Sequence, residues 1–593
     1  MAAPYTQKRW SLKDLFPGHD SPEMKAALAD LDQRVAAFEG TRTRLTPAIE
    51  APIFLELLHS LEAITDLIQR ISGFAELWFA EDTQDQTAQA FQASLENRLA
   101  EVANRVLFFS LWWKNLEEDG ASRLLEASGE YRYYLEEMRH FRPHTLSEPE
   151  EKIINLKDVT GARALQTLYS MITNRYEFEL TVEGKKRTLT RGELMVHVRQ
   201  ADPALRAAAY QELYRVYGGD GHLLSQIYSA LARDWHNEHL GLRRFSAPLA
   251  VRNLHNDLPD VVVDTLLEVC RENAGVFQRF FRLKARWLGL PRLRRYDIYA
   301  PVAVSDKRFS FTQATELVRE SLTRFDPRAA RLAERVMAED HLDSEVRPGK
   351  RSGAFCASTV PGQTPWVLSN FQGRADDVAT LAHELGHAIH SMLAAHHSLF
   401  TFHSSLPLAE TASTFSEMLL IDRLLAEESD PGVRRDLLFR QLDDAYATIG
   451  RQAFFALFEK EAHQRVQAGA ATDELCQVYL ENLRAQFGEA VEVPDEFRWE
   501  WVSIPHIYDV PFYVYAYAFG QLLVLALYQQ YQAEGQAFIP RYLELLSAGG
   551  SASPNAILTR AGLRMDQRAF WQGGFETLIA RIEALEKLPL PRS

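Results

Sequence analysis

Residues 510–528 read VPFYVYAYAFGQLLVLALY and carry no charged side chain. A run of that length and polarity is stable in two settings, the hydrocarbon of a bilayer or the interior of a folded protein. Pro511, Gly520 and Gln521 interrupt it, and Tyr513, Tyr515 and Tyr517 crowd its first half. Bilayer-spanning helices keep their phenols at the two interfaces instead. The run therefore divides into a first half suited to the wall of a site and a second half, LLVLALY, that reads as a buried helix. A chain that hides such a helix needs a large core, and 593 residues are enough for about two or three packed lobes.

Helical periodicity dominates the remainder. In SPEMKAALADLDQRVAAFEG, Met24, Ala27, Leu28, Leu31, Val35 and Phe38 keep one face of a helix that Ser21 and Pro22 start and Gly40 stops. Similar patterns run from Thr472 to Gly488 and from Ser553-Pro554 onward. Strand signals are few. RYEFELTVEGKKRTLT alternates around a turn at Gly184, and GAFCAS with PWVLSNF forms a second candidate pair around Pro361-Gly362. The expected fold is mainly α with small antiparallel β elements. The expected division is an N-terminal helical region, 1–190, ending in a β-hairpin, and a second region, 191–593.

Hydrophobic residues at 46% and charged residues at 24% fit a soluble globular protein. A formal net charge of −15 argues against nucleic acid, whose phosphates demand a basic surface. Cys270, Cys356 and Cys476 lie far apart with no paired metal-ligand spacing, as in a reducing cytoplasm. The segment MAAPYTQKRWSLKDLFPG has no apolar core of signal-peptide length. A cytoplasmic protein without nucleic-acid or membrane partners is expected.

The chemistry concentrates in DDVATLAHELGHAIHSML, residues 376–393. Asp376 or Asp377 can cap a helix whose apolar face is Val378, Leu381, Ala382, Leu385, Ile389 and Met392. His383 and His387, four residues apart, lie about 40° apart around the axis, so both imidazoles can reach one ion. Glu384 projects beside that pair, placed to hold an activated water without becoming a ligand. This is the His-Glu-x-x-His pattern of zinc hydrolases. Gly386 in the helix interior points to another backbone packed close by.

Zinc needs a third protein ligand and one open position. LPLAETASTFSEMLL offers Glu410 and Glu417 two helical turns apart, with Glu410 the better candidate ligand and Glu417 a partner for the far nitrogen of a liganding histidine. His403 is a minor alternative ligand. His236 and His239 in HNEH read as exposed helix residues, and the arginines of RLRRYDIYAP as a solvated face. SAGGSASP lacks the lysine of a phosphate loop and reads as an inter-helix connection.

HELGH with LAETASTFSE downstream resembles the oligoendopeptidase F branch of the thimet-oligopeptidase family of zinc metallopeptidases. WSLKDLFPG, RYDIYAP, GKRSGAFCAS, HIYDVPFYVYAYAFG and LLSAGGSASPNAILTRAGL look like landmarks of the same branch, in order along nearly the whole chain. The resemblance implies a two-lobed helical metallopeptidase with a deep substrate channel and one zinc ion per chain. It matches His383, His387 and Glu410 with the zinc ligands and Glu384 with the general base. It also matches His506 and Tyr517 with groups that stabilise the tetrahedral intermediate. Tyr513 and Tyr515 both stand as the second phenol; a helix after Pro511 would put Tyr513 and Tyr517 on one face and turn Tyr515 away.

The expected function is zinc-dependent hydrolysis of internal bonds in short oligopeptides by a Glu-assisted, metal-activated water. A strand around 365–371 is expected to pair with the substrate backbone. The alternatives are a helical zinc carboxypeptidase and a catalytically inactive peptide-binding protein.

Overall fold

Local signals at the helix starts are realised as hydrogen bonds. Ser21 Oγ accepts from the Met24 N–H at 3.1 Å and opens the helix Pro22–Glu39, which buries Met24, Leu31, Val35 and Phe38. Ser553 caps Pro554–Arg560 in the same way, through the Ala556 N–H. The computed structural model describes residues 5–302 and 307–590. It is mainly α-helical, as the periodicity predicts.

The helices pack into two compact units, each drawn from three stretches of chain. The first unit is Met1–Arg142, Lys307–Ala426 and Tyr531–Leu563; the second is Pro143–Asp306, Glu427–Gln530 and Arg564–Ser593. Compactness thus divides the chain differently from sequence order, which places a boundary at residue 190.

In the first unit, the long helix Ala51–Glu81 packs beside Pro22–Glu39 and Gln86–Asn115 around a core that includes Phe54, Phe109 and Trp113. Against this core lies a three-stranded sheet in the order Leu342–Asp343, Trp366–Leu368, Phe355–Ala357. The expected pairing of Phe355–Ala357 with Trp366–Leu368 is present and antiparallel, with Cys356 opposite Val367. Leu342–Asp343 adds a parallel strand on the other side, so Trp366–Leu368 is central and has no free edge for a substrate. Phe355–Ala357 is an outer strand, as is Leu342–Asp343. A two-residue strand has no periodicity to read, which is why the sequence expectation chose the wrong edge.

In the second unit, Phe178–Val182 pairs antiparallel with Lys185–Leu189, turning through Glu183 and Gly184 at φ 53° and 76°, the two positive angles that a tight hairpin turn requires. A parallel pair, Leu293–Arg294 with Val491–Glu492, was not foreseen. The second half of the uncharged run proves to be interior, whereas Tyr517 in its first half is exposed. In Tyr515–Glu534, Leu522, Leu523, Val524 and Leu527 are inaccessible to solvent. Among the described residues, no helix is long and apolar enough to cross a membrane. Arg295, expected on a solvated face, is buried against the Glu500 carboxylate and the Phe497 ring.

Candidate active site

The helix Ala375–Leu393 carries the histidine pair. Asp377 is not the cap residue itself. It sits in the first turn, and its carboxylate reaches back to accept from the N–H groups of Arg374 at 2.8 Å and Gln372 at 2.9 Å. Val378, Leu381, Ala382, Leu385 and Ile389 are buried as expected, and this fixes which way the histidines point. A Cβ on Gly386 would lie 2.6 Å from Ala412 O and from Ser413 Cα. The backbone entering the helix Thr411–Glu427 therefore rests directly on Gly386.

That contact delivers Glu410, which occupies a break between Leu406–Ala409 and Thr411–Glu427. The Ser413 hydroxyl donates to Glu410 Oε2 at 2.7 Å. The same oxygen lies 3.3 Å from His383 Nε2 and 3.4 Å from His387 Nε2. The far nitrogen of His383, Nδ1, lies 3.5 Å from Glu417 Oε2. Burial alone would lower the His383 pKa, but hydrogen bonds to Glu410 and Glu417 outweigh it and raise it to about 10. For Glu410, burial opposes ionisation, yet the two histidines hold its carboxyl well below the usual range.

Ligands about 2.0 to 2.1 Å from a tetrahedral zinc lie about 3.3 Å from one another. The separations of 3.3 and 3.4 Å match that edge length, and the three donor atoms fall within 4.8 Å of each other. Two imidazole nitrogens, one carboxylate oxygen and a carboxylate on the far nitrogen of His383 form a donor set that fits zinc with one position left open.

These groups open onto a cavity of about 660 Å³ within the first unit. Glu384 lies on its wall, only 7% exposed, and burial raises its pKa. The strand Phe355–Ala357 forms another wall. Gln69, Gly73 and Glu76 of the helix Ala51–Glu81 form a third, so the N-terminal stretch contributes directly to this cavity. A Cβ on Gly73 would collide with the Thr359 side chain, so this glycine lets the helix approach. The Cys356 thiol also faces the cavity; burial, reinforced by Glu384, pushes its pKa up and keeps it neutral.

The second unit gathers the remaining candidates. The His506 and Tyr513 rings lie nearly parallel, centroids 6.3 Å apart, and Tyr517 meets Tyr513 edge-on at 5.3 Å. The Tyr517 hydroxyl lies 3.5 Å from His506 Nε2. Burial and a neighbouring Tyr513 push the Tyr517 pKa up to about 12, so it remains a donor at neutral pH. Tyr515 does not join them. It is fully buried, and its hydroxyl accepts from Asn256 Nδ2 at 2.9 Å.

The other histidines separate cleanly. His403 lines the cavity but is outside the three-donor group. His239 is not an exposed helix residue: it packs edge-on against Trp235 and Phe245, and burial lowers its pKa to about 4. SAGGSASP does connect two helices. A Cβ on Gly549 would lie 2.6 Å from Phe402 O, so its glycines serve a close backbone approach beside the cavity.

A family model described as peptidase family M3 matches residues 196–577, and one described as oligopeptidase F matches residues 112–178. The chain belongs to peptidase family M3. It is a metallopeptidase. Oligopeptidase PepF of Bacillus subtilis is 25% identical over 591 residues, covering 98% of this chain and 87% of its own. Group B oligopeptidase PepB of Streptococcus agalactiae is 27% identical over 596 residues, covering 98% and 97%. A crystal structure of a candidate peptidase from Chlamydophila abortus superposes with a TM-score of 0.90 at 26% identity, covering 98% of both chains. Oligoendopeptidase F from Enterococcus faecium shares the fold, with a TM-score of 0.70 at 24% identity over 95% and 98% of the two chains.

Two residues of this M3 peptidase escape the sequence reading. His390, buried on the next turn after His387, donates to the carbonyl of Ala409 and so fixes the residue before Glu410. Its spacing in HELGHAIH was a usable signal. Ser413 left none, because nothing in the sequence tells which hydroxyl of STFS meets the glutamate.

Proposed function

We propose that this M3 peptidase hydrolyses internal bonds of short oligopeptides with one zinc ion held by His383, His387 and Glu410. The carrying observation is the convergence of both Nε2 atoms on one Glu410 oxygen at tetrahedral-edge distances. Similar proteins named as oligopeptidases support the substrate class. Bound there, zinc supplies a Lewis acid that polarises the scissile carbonyl and lowers the pKa of a water towards neutrality.

The chain's own groups do the rest. Glu384 takes the proton of the attacking water and passes it to the leaving amine, and its raised pKa brings its proton affinity closer to that task. Glu417 and Ser413 keep His383 and Glu410 oriented. The outer edge of Phe355–Ala357 suits an extended peptide main chain, giving affinity with little side-chain preference. His506, Tyr513 and Tyr517 donate to the developing oxyanion; Tyr515, its hydroxyl already engaged, has no part in this. The residues given catalytic roles all lie within 191–593, although the N-terminal stretch walls their cavity, and the setting is cytoplasmic, where three unpaired cysteines are stable.

The test is incubation with a mixed library of peptides of graded length, with and without a chelator. Internal cuts that disappear with chelator and return with zinc support the reading. Release of C-terminal residues alone would make the enzyme a carboxypeptidase, and cleavage indifferent to chelator would overturn the metal.

A further inference from the structure

One carboxyl group in the second unit has no place in the chemistry above, and its burial is complete. Glu459 lies within the helix Arg451–Gln467 and is inaccessible to solvent. A carboxyl group in such surroundings is unfavourable unless it satisfies a buried donor. Its Oε1 accepts the main-chain N–H of Phe512 at 2.9 Å. Phe512 has φ 60°, the left-handed region that bulky side chains avoid, and its N–H is taken up by this side chain. One turn further along the same helix, the His463 ring packs on the Phe512 ring at 4.8 Å. On either side of Phe512 the turn is pinned again: Arg252 Nε donates to Pro511 O at 3.2 Å, and Asn256 holds the Tyr515 hydroxyl.

The strained residue immediately precedes Tyr513. With Phe512 left-handed, the chain reverses between the short helix His506–Asp509 and the helix Tyr515–Glu534. That reversal brings the Tyr513 ring parallel to His506 and the Tyr517 hydroxyl to 3.5 Å from His506 Nε2. If Phe512 relaxed to an ordinary φ, the direction of Tyr513 would change and the three-residue cluster would disperse.

We propose that Glu459 is a positioning residue, which holds Phe512 left-handed and thereby assembles His506, Tyr513 and Tyr517. Its catalytic consequence rests on the oxyanion reading of that cluster. The Phe512 N–H supplies the reason for a buried glutamate at a position where leucine would fill the space at less desolvation cost.

The full-length enzyme tests this with Glu459→Leu, Glu459→Gln and Tyr517→Phe, each checked for metal content. Glu459→Leu leaves the Phe512 N–H without an acceptor, and Glu459→Gln keeps a carbonyl oxygen in its place. Hydrogen exchange of peptides covering residues 506–517 should accelerate in Glu459→Leu and stay near wild type in Glu459→Gln. In Glu459→Leu, kcat should fall about 10- to 100-fold with KM nearly unchanged, the scale of loss for misplaced catalytic groups. In Glu459→Gln, kcat should remain within about threefold of wild type. If Glu459→Leu does not fold, Glu459→Asp, one methylene too short to reach the N–H, carries the same expectations. Unchanged exchange in the non-accepting variant overturns the positioning role whatever the activity does. Accelerated exchange together with full activity in Tyr517→Phe would instead overturn the oxyanion reading and leave the positioning role standing.

Discussion

His383 Nδ1 lies 3.5 Å from the Glu417 carboxylate, on the side of the ring facing away from Glu410. In a neutral ring this contact would keep the proton on Nδ1 and turn the Nε2 lone pair towards the metal position. Glu417→Ala is therefore expected to weaken metal binding by about 10- to 100-fold while leaving the fold intact. Competition against a chelator of known affinity measures it; an unchanged affinity would mean that the contact is incidental.

Glu384→Gln preserves shape and removes the proton acceptor. Metal stoichiometry should match wild type, and turnover should drop by about 100- to 10,000-fold, the usual size of a general-base contribution. Metal analysis beside steady-state kinetics separates this outcome from loss of the ion. Unchanged turnover would eliminate Glu384 as the base.

At Gly386, two effects of opposite sign compete. Alanine is favoured over glycine by about 1 kcal/mol in a helix interior. Here its Cβ would meet main-chain atoms of Ala412 and Ser413 at 2.6 Å, and backbone cannot step aside as a flexible side chain can. Overpacking of this kind costs about 1 to 3 kcal/mol. Gly386→Ala should lower the denaturation midpoint and, by pushing Ser413 away, weaken metal binding as well. A variant more stable than wild type would show that the Thr411–Glu427 helix yields easily.

Burial lifts the Glu459 pKa to about 8, whereas in the unfolded chain it lies near 4.3. Between those values the native state keeps a proton that the unfolded state has released. Stability from this group is therefore greatest at low pH and declines as pH rises through the window. Glu459→Gln removes the dependence. Its unfolding free energy relative to wild type should gain about 2 kcal/mol between about pH 6 and pH 8. Parallel denaturant titrations at the two pH values check this; a pH-independent difference would place the Glu459 pKa outside the window.

The features legible in the sequence were those carried by short-range spacing. The i, i+4 histidines, the helix that bears them, the seven-residue interval from Glu410 to Glu417 and the glycine contact at Gly386 follow from helix geometry. Features decided by distant partners stayed hidden. Arg295 looked solvated because Glu500, which neutralises it, lies far along the chain. The central place of Trp366–Leu368 depends on a two-residue strand with no pattern of its own. Spacing separated Tyr513 from Tyr515 only through a helix running from Pro511; the helix starts at Tyr515, and the Asn256 contact that engages the Tyr515 hydroxyl left no signal in the sequence.

The first unit is closed by its last stretch, Tyr531–Leu563. Within it, the Tyr542 hydroxyl donates to Thr411 O, next to Glu410, and the Gly550 N–H donates to Thr401 O beneath the cavity. A ribosome has delivered the histidines and Glu410 long before it delivers these two contacts. Domains fold as whole units once their parts are available. The order of stretches therefore acts as a timer, and the metal site acquires its final support only after the last of the three stretches has been made.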